Sequence, residues 1–385
     1  VLLLIMTICF FSTQYLPTPG GVERYTWNLA LRTVRDGGRA IVVTSALPGL
    51  PDHEIDADGI EIYRLPVFAA MGGRFPVLRP GPGFRALCRR LFANPIDFAV
   101  IQTRMYVESV WAAQALRRRH IPALVIDHST GYMPMGGGLP GLAGRVYEQL
   151  ACRLIAATGA PFYGVSSAVV RWLAAFGVKA AGTLPNAVDP AALAAENAAD
   201  PFDWREALGL APGAGLVAFI GRLIPEKGAV ALAEAVATLP GVTLAAAGAG
   251  PEEEALRAAG AKVLGALPHH RVVQLLTQAD VYCLPTRYAE GFPTTLLEAA
   301  ACGCPILCTP TAGTEELLPG PRYGTLLTDT SPAALREALR PLLEDPAAAR
   351  ARAAAARARV EAHFTWDAVF ATIKAIAERA AASAR

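Results

Sequence analysis

Short runs that are apolar at every position alternate with longer stretches of helical periodicity, and the alternation occurs twice along the chain. In the first half the apolar runs fall at 2–11, 40–44, 60–64, 98–103, 123–128 and 162–166, with helical stretches at 22–36, 109–119, 142–157 and 168–176. In the second half the runs are 216–220, 242–247, 262–264, 281–285, 305–308 and 325–327, with helices at 229–238, 252–259, 269–278, 295–302 and 332–343. Runs without polar alternation predict strands covered on both faces, as in parallel sheets with crossover helices. The pattern therefore predicts an α/β chain of two Rossmann-like domains in tandem. Turn chemistry in Leu184-Pro-Asn-Ala-Val-Asp-Pro190 sets the expected limits at 1–185 and 190–362. An Ala/Arg-rich stretch at 347–360 predicts a solvated helix, and 364–382 a last one.

The opening run, 1–11, is shorter than the roughly 20 residues that span a bilayer, and it lacks a signal peptide's basic start and small-residue cleavage site. It predicts a buried strand. The sequence opens on valine, so a start a few residues upstream is expected.

Composition narrows the class. A chain of 385 residues with 53% hydrophobic and 18% charged residues can bury a large core, which excludes disordered, collagen-like and disulfide-scaffold chains. A net charge of +2 gives no reason to expect nucleic acid as a partner. The charge is unevenly placed, however. Through Pro185 there are 18 Lys+Arg against 11 Asp+Glu, or +7, and the remainder holds 17 against 22, or −5. Two surfaces with different tasks are expected. The seven cysteines are odd in number and unevenly spaced, which suits free thiols in a reducing, cytoplasmic compartment. Cys302-Gly-Cys304 with Cys308 lacks zinc-type spacing and is expected to pack in a core, and no metal is expected.

Three segments carry candidate chemistry. Gly20-Gly21 follows the first strand and opens a helix, where backbone N–H groups and the helix dipole favour an anion, or where an ordinary turn simply needs glycine. Arg222 and Lys227 follow the strand 216–220, so they face the crevice at the carboxyl end of a parallel sheet. Five residues apart, they could grip a diphosphate or stand as a solvated pair. In Glu290-Gly-Phe-Pro-Thr-Thr-Leu-Leu-Glu298, Glu290 sits in the loop, where it could accept from sugar hydroxyls. Glu298 sits one turn into the helix, where it could accept from a ribose. Between them, Gly291, Phe292, Pro293, Thr294 and Thr295 bring backbone to the helix start, suited to a phosphate or carboxylate.

These segments together resemble glycosyltransferase family 4. The two glutamates seven residues apart, the entry Gln278-Ala-Asp280 and Gly-Arg-x4-Lys-Gly belong to the likeness. So do Gly20-Gly21, Val165-Ser166, Pro185-Asn186-Ala187-Val188-Asp189, Gly248-Ala249-Gly250-Pro251 and Thr311-Ala-Gly-Thr-Glu315, in the family's order along nearly the whole chain. The resemblance implies the GT-B architecture, two facing Rossmann-like domains with an interdomain cleft, and a final helix, 364–385, that crosses back to the first domain. It implies a metal-independent retaining transferase that takes a nucleotide-diphosphate sugar, needs no cofactor and delivers to a lipid-linked or glycan acceptor in cell-envelope or exopolysaccharide synthesis. By the same resemblance Arg222 and Lys227 bind the diphosphate, Glu290 with the backbone of Gly291 to Thr294 contacts the sugar, and Glu298 holds the ribose. Gly20 and Gly21 meet the diphosphate from the other domain, and His128, after the strand at 123–128, is the active-site histidine. The sequence departs from the family at Ala249, where an acid is common, at Ala187, where glycine is common, and at Thr294 and Thr295. The competing readings are a nucleotide-sugar epimerase of the same architecture and a two-domain small-ligand binding protein.

Between Arg64 and Ile96 there are six arginines, Arg64, Arg74, Arg79, Arg85, Arg89 and Arg90, and no acid. They interleave with Phe68, Met71, Phe75, Leu78, Phe84, Leu87, Leu91 and Phe92. Basic plus apolar character suits either a contact with anionic lipid or an acceptor-side loop, with Arg117-Arg118-Arg119 as an extension.

Overall fold

The computed structural model describes residues 6–18, 20–133, 138–287 and 291–383, and the chain divides into two compact units. The first comprises Val1–Asn186 with Trp366–Arg385, the second Ala187–Thr365.

The first unit is built on β1 (Thr7–Phe11), β2 (Arg39–Ser45), β3 (His53–Ile55), β4 (Glu61–Leu65), β5 (Val67–Ala70), β6 (Phe75–Leu78), β7 (Phe98–Gln102), β8 (Ala123–Asp127), β9 (Phe162–Gly164) and β10 (Gly182–Thr183). Eight of these form one sheet in the order β10-β9-β8-β7-β1-β2-β4-β3, parallel except for β3. β5 and β6 make a separate antiparallel hairpin. The connections are α1 (Gly21–Arg35), α2 (Pro82–Phe92), α3 (Val107–Arg117), α4 (Gly138–Ala156) and α5 (Ser167–Leu173). β1, β2, β4, β7 and β8 are buried along almost their full length, which is why their sequences are apolar without alternation. β1 is shorter than the run 2–11, and the first residues of that run lie outside the described residues.

The basic stretch corrects one expectation. Residues 82–92 form a helix, and Phe84, Leu87, Cys88, Leu91 and Phe92 all pack on the core of the unit. Their spacing of three and four is that of one helix face, so these five turn inward, while Phe68 and Met71 of the same stretch stay exposed. Arg74, Arg79, Arg85, Arg89 and Arg90 remain exposed. Arg64 does not: it is buried on β4, paired with Glu54 at 2.5 Å and bonded to the Pro51 carbonyl at 3.0 Å.

The second unit has a six-stranded parallel sheet of β11 (Gly215–Ile220), β12 (Val242–Ala247), β13 (Lys262–Gly265), β14 (Val281–Leu284), β15 (Ile306–Cys308) and β16 (Thr325–Leu326), in the order β13-β12-β11-β14-β15-β16. Its helices are α6 (Pro190–Ala199), α7 (Trp204–Ala207), α8 (Ala229–Ala237), α9 (Glu253–Ala258), α10 (His269–Gln278), α11 (Thr294–Ala301), α12 (Thr314–Leu317), α13 (Pro332–Glu344) and α14 (Pro346–His363). Asp189 caps α6, accepting from the Ala192 N–H at 3.0 Å, with Pro190 at the first helical position. Cys283, Cys304 and Cys308 are buried free thiols in this unit. The chain then returns to the first unit as α15 (Trp366–Ser383), which packs on α1. Asp367 accepts from Arg32 at 2.7 Å, Lys374 pairs with Asp36 at 2.6 Å, and the Trp366 ring meets Tyr25 edge-on at 5.2 Å.

In each sheet the strand order reverses beside the first strand, between β1 and β7 and between β11 and β14. Ligands of open parallel sheets bind past the carboxyl ends of the strands at such points.

Candidate active site

In the second unit the loop after β11 carries Arg222 and Lys227 and is braced from both sides. On one side lies the loop after β12. There the Gly221 N–H bonds the Ala247 carbonyl and the Leu223 N–H the Ala249 carbonyl, both at 3.0 Å, while the Glu252 N–H bonds the Leu223 carbonyl at 3.1 Å. The approach is so close that a Cβ on Gly248 would lie 1.8 Å from the Gly221 carbonyl oxygen, at a φ of 142°. On the other side, the Arg287 N–H bonds the Glu226 carbonyl at 2.7 Å. Lys227 ends a single 3-10 turn, Pro225–Lys227, and Gly228 follows at φ 73°, where a Cβ would lie 2.6 Å from the Pro285 carbonyl oxygen. Glycine at 228 thus lets the lysine-bearing turn seat against the end of β14. Arg222 is exposed and Lys227 half-buried, both beyond the carboxyl end of β11.

Past β14, Glu290 lies outside the described residues. Gly291 and Phe292 lead to Pro293, which precedes the first turn of α11 at Thr294. The Phe292 side chain is buried, edge-on to Phe364 at 5.6 Å and so close to Gly313 that a Cβ there would meet its ring. Its side chain is structural, which leaves recognition at this turn to backbone. Thr295 accepts a hydrogen bond from the buried Tyr282 hydroxyl at 2.7 Å.

Glu298 does not stand alone. Its carboxylate is 3.4 Å from His269 Nε2, and His269 Nδ1 is 2.7 Å from Glu196 on α6. α10 begins just past the carboxyl end of β13, so His269, its first residue, lies on the side of the sheet that bears Arg222 and Lys227. A cation at a helix N-terminus is disfavoured by the dipole. Here the hydrogen bond that His269 donates to Glu298, first of all, and then Glu196 raise the imidazole to about 9, against partial burial. A histidine raised in the folded state contributes fully below its unfolded value of about 6.5, and the contribution is lost as pH rises through about 9. The melting temperature is therefore expected to fall between pH 6.5 and 9.5 by less in His269→Gln than in the unaltered chain. Parallel curves would refute the assignment.

In the first unit, Gly20 and Gly21 lead into α1. Gly20 is extended and lies under the Glu23 carboxylate: a Cβ there would lie 2.0 Å from its Oε2, so a larger residue would have to displace that side chain. At Gly21 a Cβ would meet nothing. Glu23 is buried in the first turn, where burial pushes its pKa up against a hydrogen bond from its own backbone N–H. An anion arriving at this helix start must displace that carboxylate or meet it protonated.

His128 follows β8. Its Nε2 lies 2.7 Å from Gln102 Oε1, and its ring meets Tyr25 edge-on at 4.9 Å. Tyr25 in turn donates to the Leu184 carbonyl at 3.0 Å. Burial pulls the His128 pKa down to about 3, so the ring is neutral at physiological pH. With Gln102 Oε1 as acceptor, Nε2 holds the proton and Nδ1 the lone pair. Behind it lies a fully buried ion triad. Arg104 pairs with Asp127 at 2.5 Å and with Glu148 at 3.0 Å, its guanidinium 4.2 Å from the Phe176 ring centroid. The second Glu148 oxygen accepts from the Met133 N–H at 2.6 Å. Burial raises Asp127 to about 6 despite Arg104, and raises Glu148 as well. Between Gln102 and Arg104, Thr103 has φ 63°, a left-handed conformation that costs a β-branched residue on the order of 1–3 kcal/mol. That backbone lets Gln102 and Arg104, on either side of it, reach His128 and Asp127.

The structure thus groups Arg222 and Lys227 on one braced loop, puts Glu298 on the helix that follows β14 in the same sheet, and sets Gly20, Gly21 and His128 at carboxyl ends in the first. Glu23, Gln102, Arg104, Glu148, Glu196 and His269 were missed. Histidine opening a helix was the one available signal. A concavity of about 1120 Å³ in the second unit lies at the opposite, amino end of the strands, lined by Gly215, Val242, Asp280 and Pro305. It belongs to the end of a parallel sheet where ligands are not expected. Among the described residues, no group of three His, Cys, Asp or Glu could hold a metal ion.

Comparison with known proteins agrees with this geometry. The model of Glycosyltransferase Family 4 matches residues 19–192, and that of Glycosyl transferases group 1 matches residues 200–359. A GDP-mannose-dependent monoacylated alpha-(1-6)-phosphatidylinositol monomannoside mannosyltransferase of Corynebacterium glutamicum is 31% identical over 200 residues, 48% of this chain and 52% of that protein. A glycogen synthase of Mycobacterium tuberculosis is 37% identical over 165 residues, 39% of each chain. The chain therefore spans about half or less of the length of these relatives. Among solved structures, Anabaena HepE in complex with UDP superposes with a TM-score of 0.75 at 20% identity, covering 97% of this chain and 100% of that one. Sucrose-phosphate synthase from Thermosynechococcus elongatus gives a TM-score of 0.75 at 21% identity, covering 98% and 100%. Matched by one model in each unit and sharing the GT-B fold along almost its whole length, the chain belongs to glycosyltransferase family 4.

Proposed function

We propose that the protein is a retaining, metal-independent glycosyltransferase that moves a sugar from a nucleotide diphosphate to a lipid-linked or glycan acceptor in cell-envelope or exopolysaccharide synthesis. The observation that carries the reading is the doubly braced loop that presents Arg222 and Lys227 at the switch point of the second sheet. Departure of the nucleotide breaks the bond from the sugar's anomeric carbon to the diphosphate and builds negative charge on phosphate. Cations held in place beforehand lower that barrier. The acceptor oxygen attacks from the face the diphosphate leaves, the new glycosidic bond forms there, and the departing phosphate takes the acceptor's proton. His128 enters as a neutral hydrogen-bonding group for the sugar, and Glu298, oriented by His269, as the ribose acceptor. Glu290 and the backbone from Gly291 to Thr294 contact the sugar, while Gly20 and Gly21 meet the diphosphate. The enzyme works in the cytoplasm, on the inner face of the plasma membrane, with the exposed arginines 74, 79, 85, 89 and 90 turned to anionic headgroups or acceptor phosphate.

Thermal shift against UDP-, GDP- and ADP-sugars tests the reading. At a hundredfold excess over Kd, one nucleotide class is expected to raise the melting temperature by about 5–10 °C. No shift with any of them, and no transfer product, would end it.

A further inference from the structure

α4 is apolar on two opposite sides. Gly144, Glu148, Ala151, Cys152 and Ile155 are buried. Opposite them, Leu139, Leu142, Val146, Leu150 and Leu154 are between 51% and 82% exposed. At about 100° per residue, the exposed five fall within roughly 120° of arc and the buried five within roughly 100° on the far side. The exposed row runs for about 22 Å. Soluble chains seldom turn so many large aliphatic side chains to water in one line, and such a patch marks a contact surface.

The charge around the row says what the contact is. Arg145 and Arg153 are exposed on the same helix, whose one acid, Glu148, is buried. α2, α3 and α4 cover one core cluster and so share one helical layer of the sheet. Arg85, Arg89 and Arg90 of α2 and Arg117, Arg118 and Arg119 at the end of α3 are exposed as well. From Ile62 to Val188, among the described residues, no aspartate or glutamate is exposed: Asp97 is half-buried, and Glu108, Asp127 and Glu148 are buried. A segment whose exposed full charges, among the described residues, are all positive complements anionic phosphate.

We propose that α4 docks this protein on an anionic lipid bilayer. Its leucine row sinks into the boundary between headgroups and acyl chains, and the arginines of the α2–α4 layer lie on lipid phosphates. Apolar side chains on one face with flanking arginines are the composition of a helix that lies in the interface. No helix among the described residues is long and apolar enough to cross a membrane, so the contact runs along the surface. The inference deepens the membrane half of the function proposed above and is independent of the donor half. It moves the apolar contact from α2, whose hydrophobic side chains are spent on the core, to α4.

Co-sedimentation of the full chain with vesicles tests it, using phosphatidylcholine alone and phosphatidylcholine mixed with phosphatidylglycerol. The unaltered protein is expected to pellet with the mixed vesicles. The triple variant Leu142→Gln, Val146→Gln, Leu150→Gln should lose at least about tenfold in partitioning. Arg145→Gln with Arg153→Gln should weaken binding mainly at low salt. The substituted side chains face water, so the melting temperature should hold, and nucleotide-sugar binding by calorimetry on the same variants reads the donor site separately. Vesicle binding with no nucleotide binding would sink the transferase reading alone. Equal vesicle binding by the triple variant, or a wild-type dimer that the triple makes monomeric without any vesicle binding, would overturn the docking helix.

Discussion

Lys227→Ala is expected to lower turnover with the nucleotide sugar by about 10²–10³-fold, equivalent to roughly 2.7–4 kcal/mol of lost transition-state stabilisation. The reason is positional. The lysine ends a turn tied to the start of the loop after β14, through the Glu226 carbonyl and the Gly228 approach to Pro285, and the loop that bears it is locked against the loop after β12. A cation fixed in this way needs no reorganisation when charge grows on the departing phosphate. Arg222→Ala should fall in the same range. Acceptor KM should stay nearly constant in both, because the interaction belongs to the leaving group. Glu226→Ala, at an exposed neighbour that bonds through its carbonyl, serves as the control and should keep near-normal turnover. Normal turnover in Lys227→Ala would remove the residue from the mechanism.

Arg104→Met is expected to destabilise the first unit by about 3–5 kcal/mol, a loss of roughly 10 °C in melting temperature. The guanidinium is fully buried between Asp127 and Glu148, and its removal leaves two carboxylates in the core without a counter-ion. The pH dependence gives the sign. Asp127 is already raised to about 6 with the arginine present, so without it the carboxyl binds a proton still more readily in the folded state than in the unfolded one, where its pKa is about 3.9. A folded state that binds more protons gains stability as pH falls. The deficit of Arg104→Met should therefore be large at pH 7.5 and shrink towards pH 5, as read by chemical denaturation. Adding Asp127→Asn and Glu148→Gln should recover much of it at pH 7.5. A pH-independent loss under 1 kcal/mol would mean that the triad does not hold this region together.

Much of the fold could be read from local pattern. Buried parallel strands need apolar residues at every position, so β2, β7, β8, β11 and β12 announce themselves, and the helices between them follow from periodicity. The motif order was enough to indicate the family, because Gly20-Gly21, Arg222 with Lys227, and Glu298 each stand at a strand-to-helix junction. The helix at 82–92 was harder. Its spacing was visible, but periodicity shows that two faces differ without showing which one is covered. The partners of the site were not legible at all. His269 is 29 residues from Glu298, and Arg104 is 23 from Asp127 and 44 from Glu148. Nothing in a linear pattern places such residues in one hydrogen-bonded group.

By itself, the sequence determined the α/β class, the doubled Rossmann-like arrangement, the family and the strand-to-helix junctions that carry the candidate residues. These depend on short-range facts: hydrophobic period, turn residues and motif spacing. Only the tertiary structure decided which charges are buried with partners and which face water, that Glu23 lies over Gly20, and that His128 is neutral. It also decided that the hydrophobic residues of α2 turn inward while a row on α4 turns out. The physical reason is common to all of these. Burial and hydrogen-bonded partners both depend on what packs on a side chain, and together they set whether an ionisable group is paired, shifted or solvated, and whether an apolar stripe belongs to the core or to a partner.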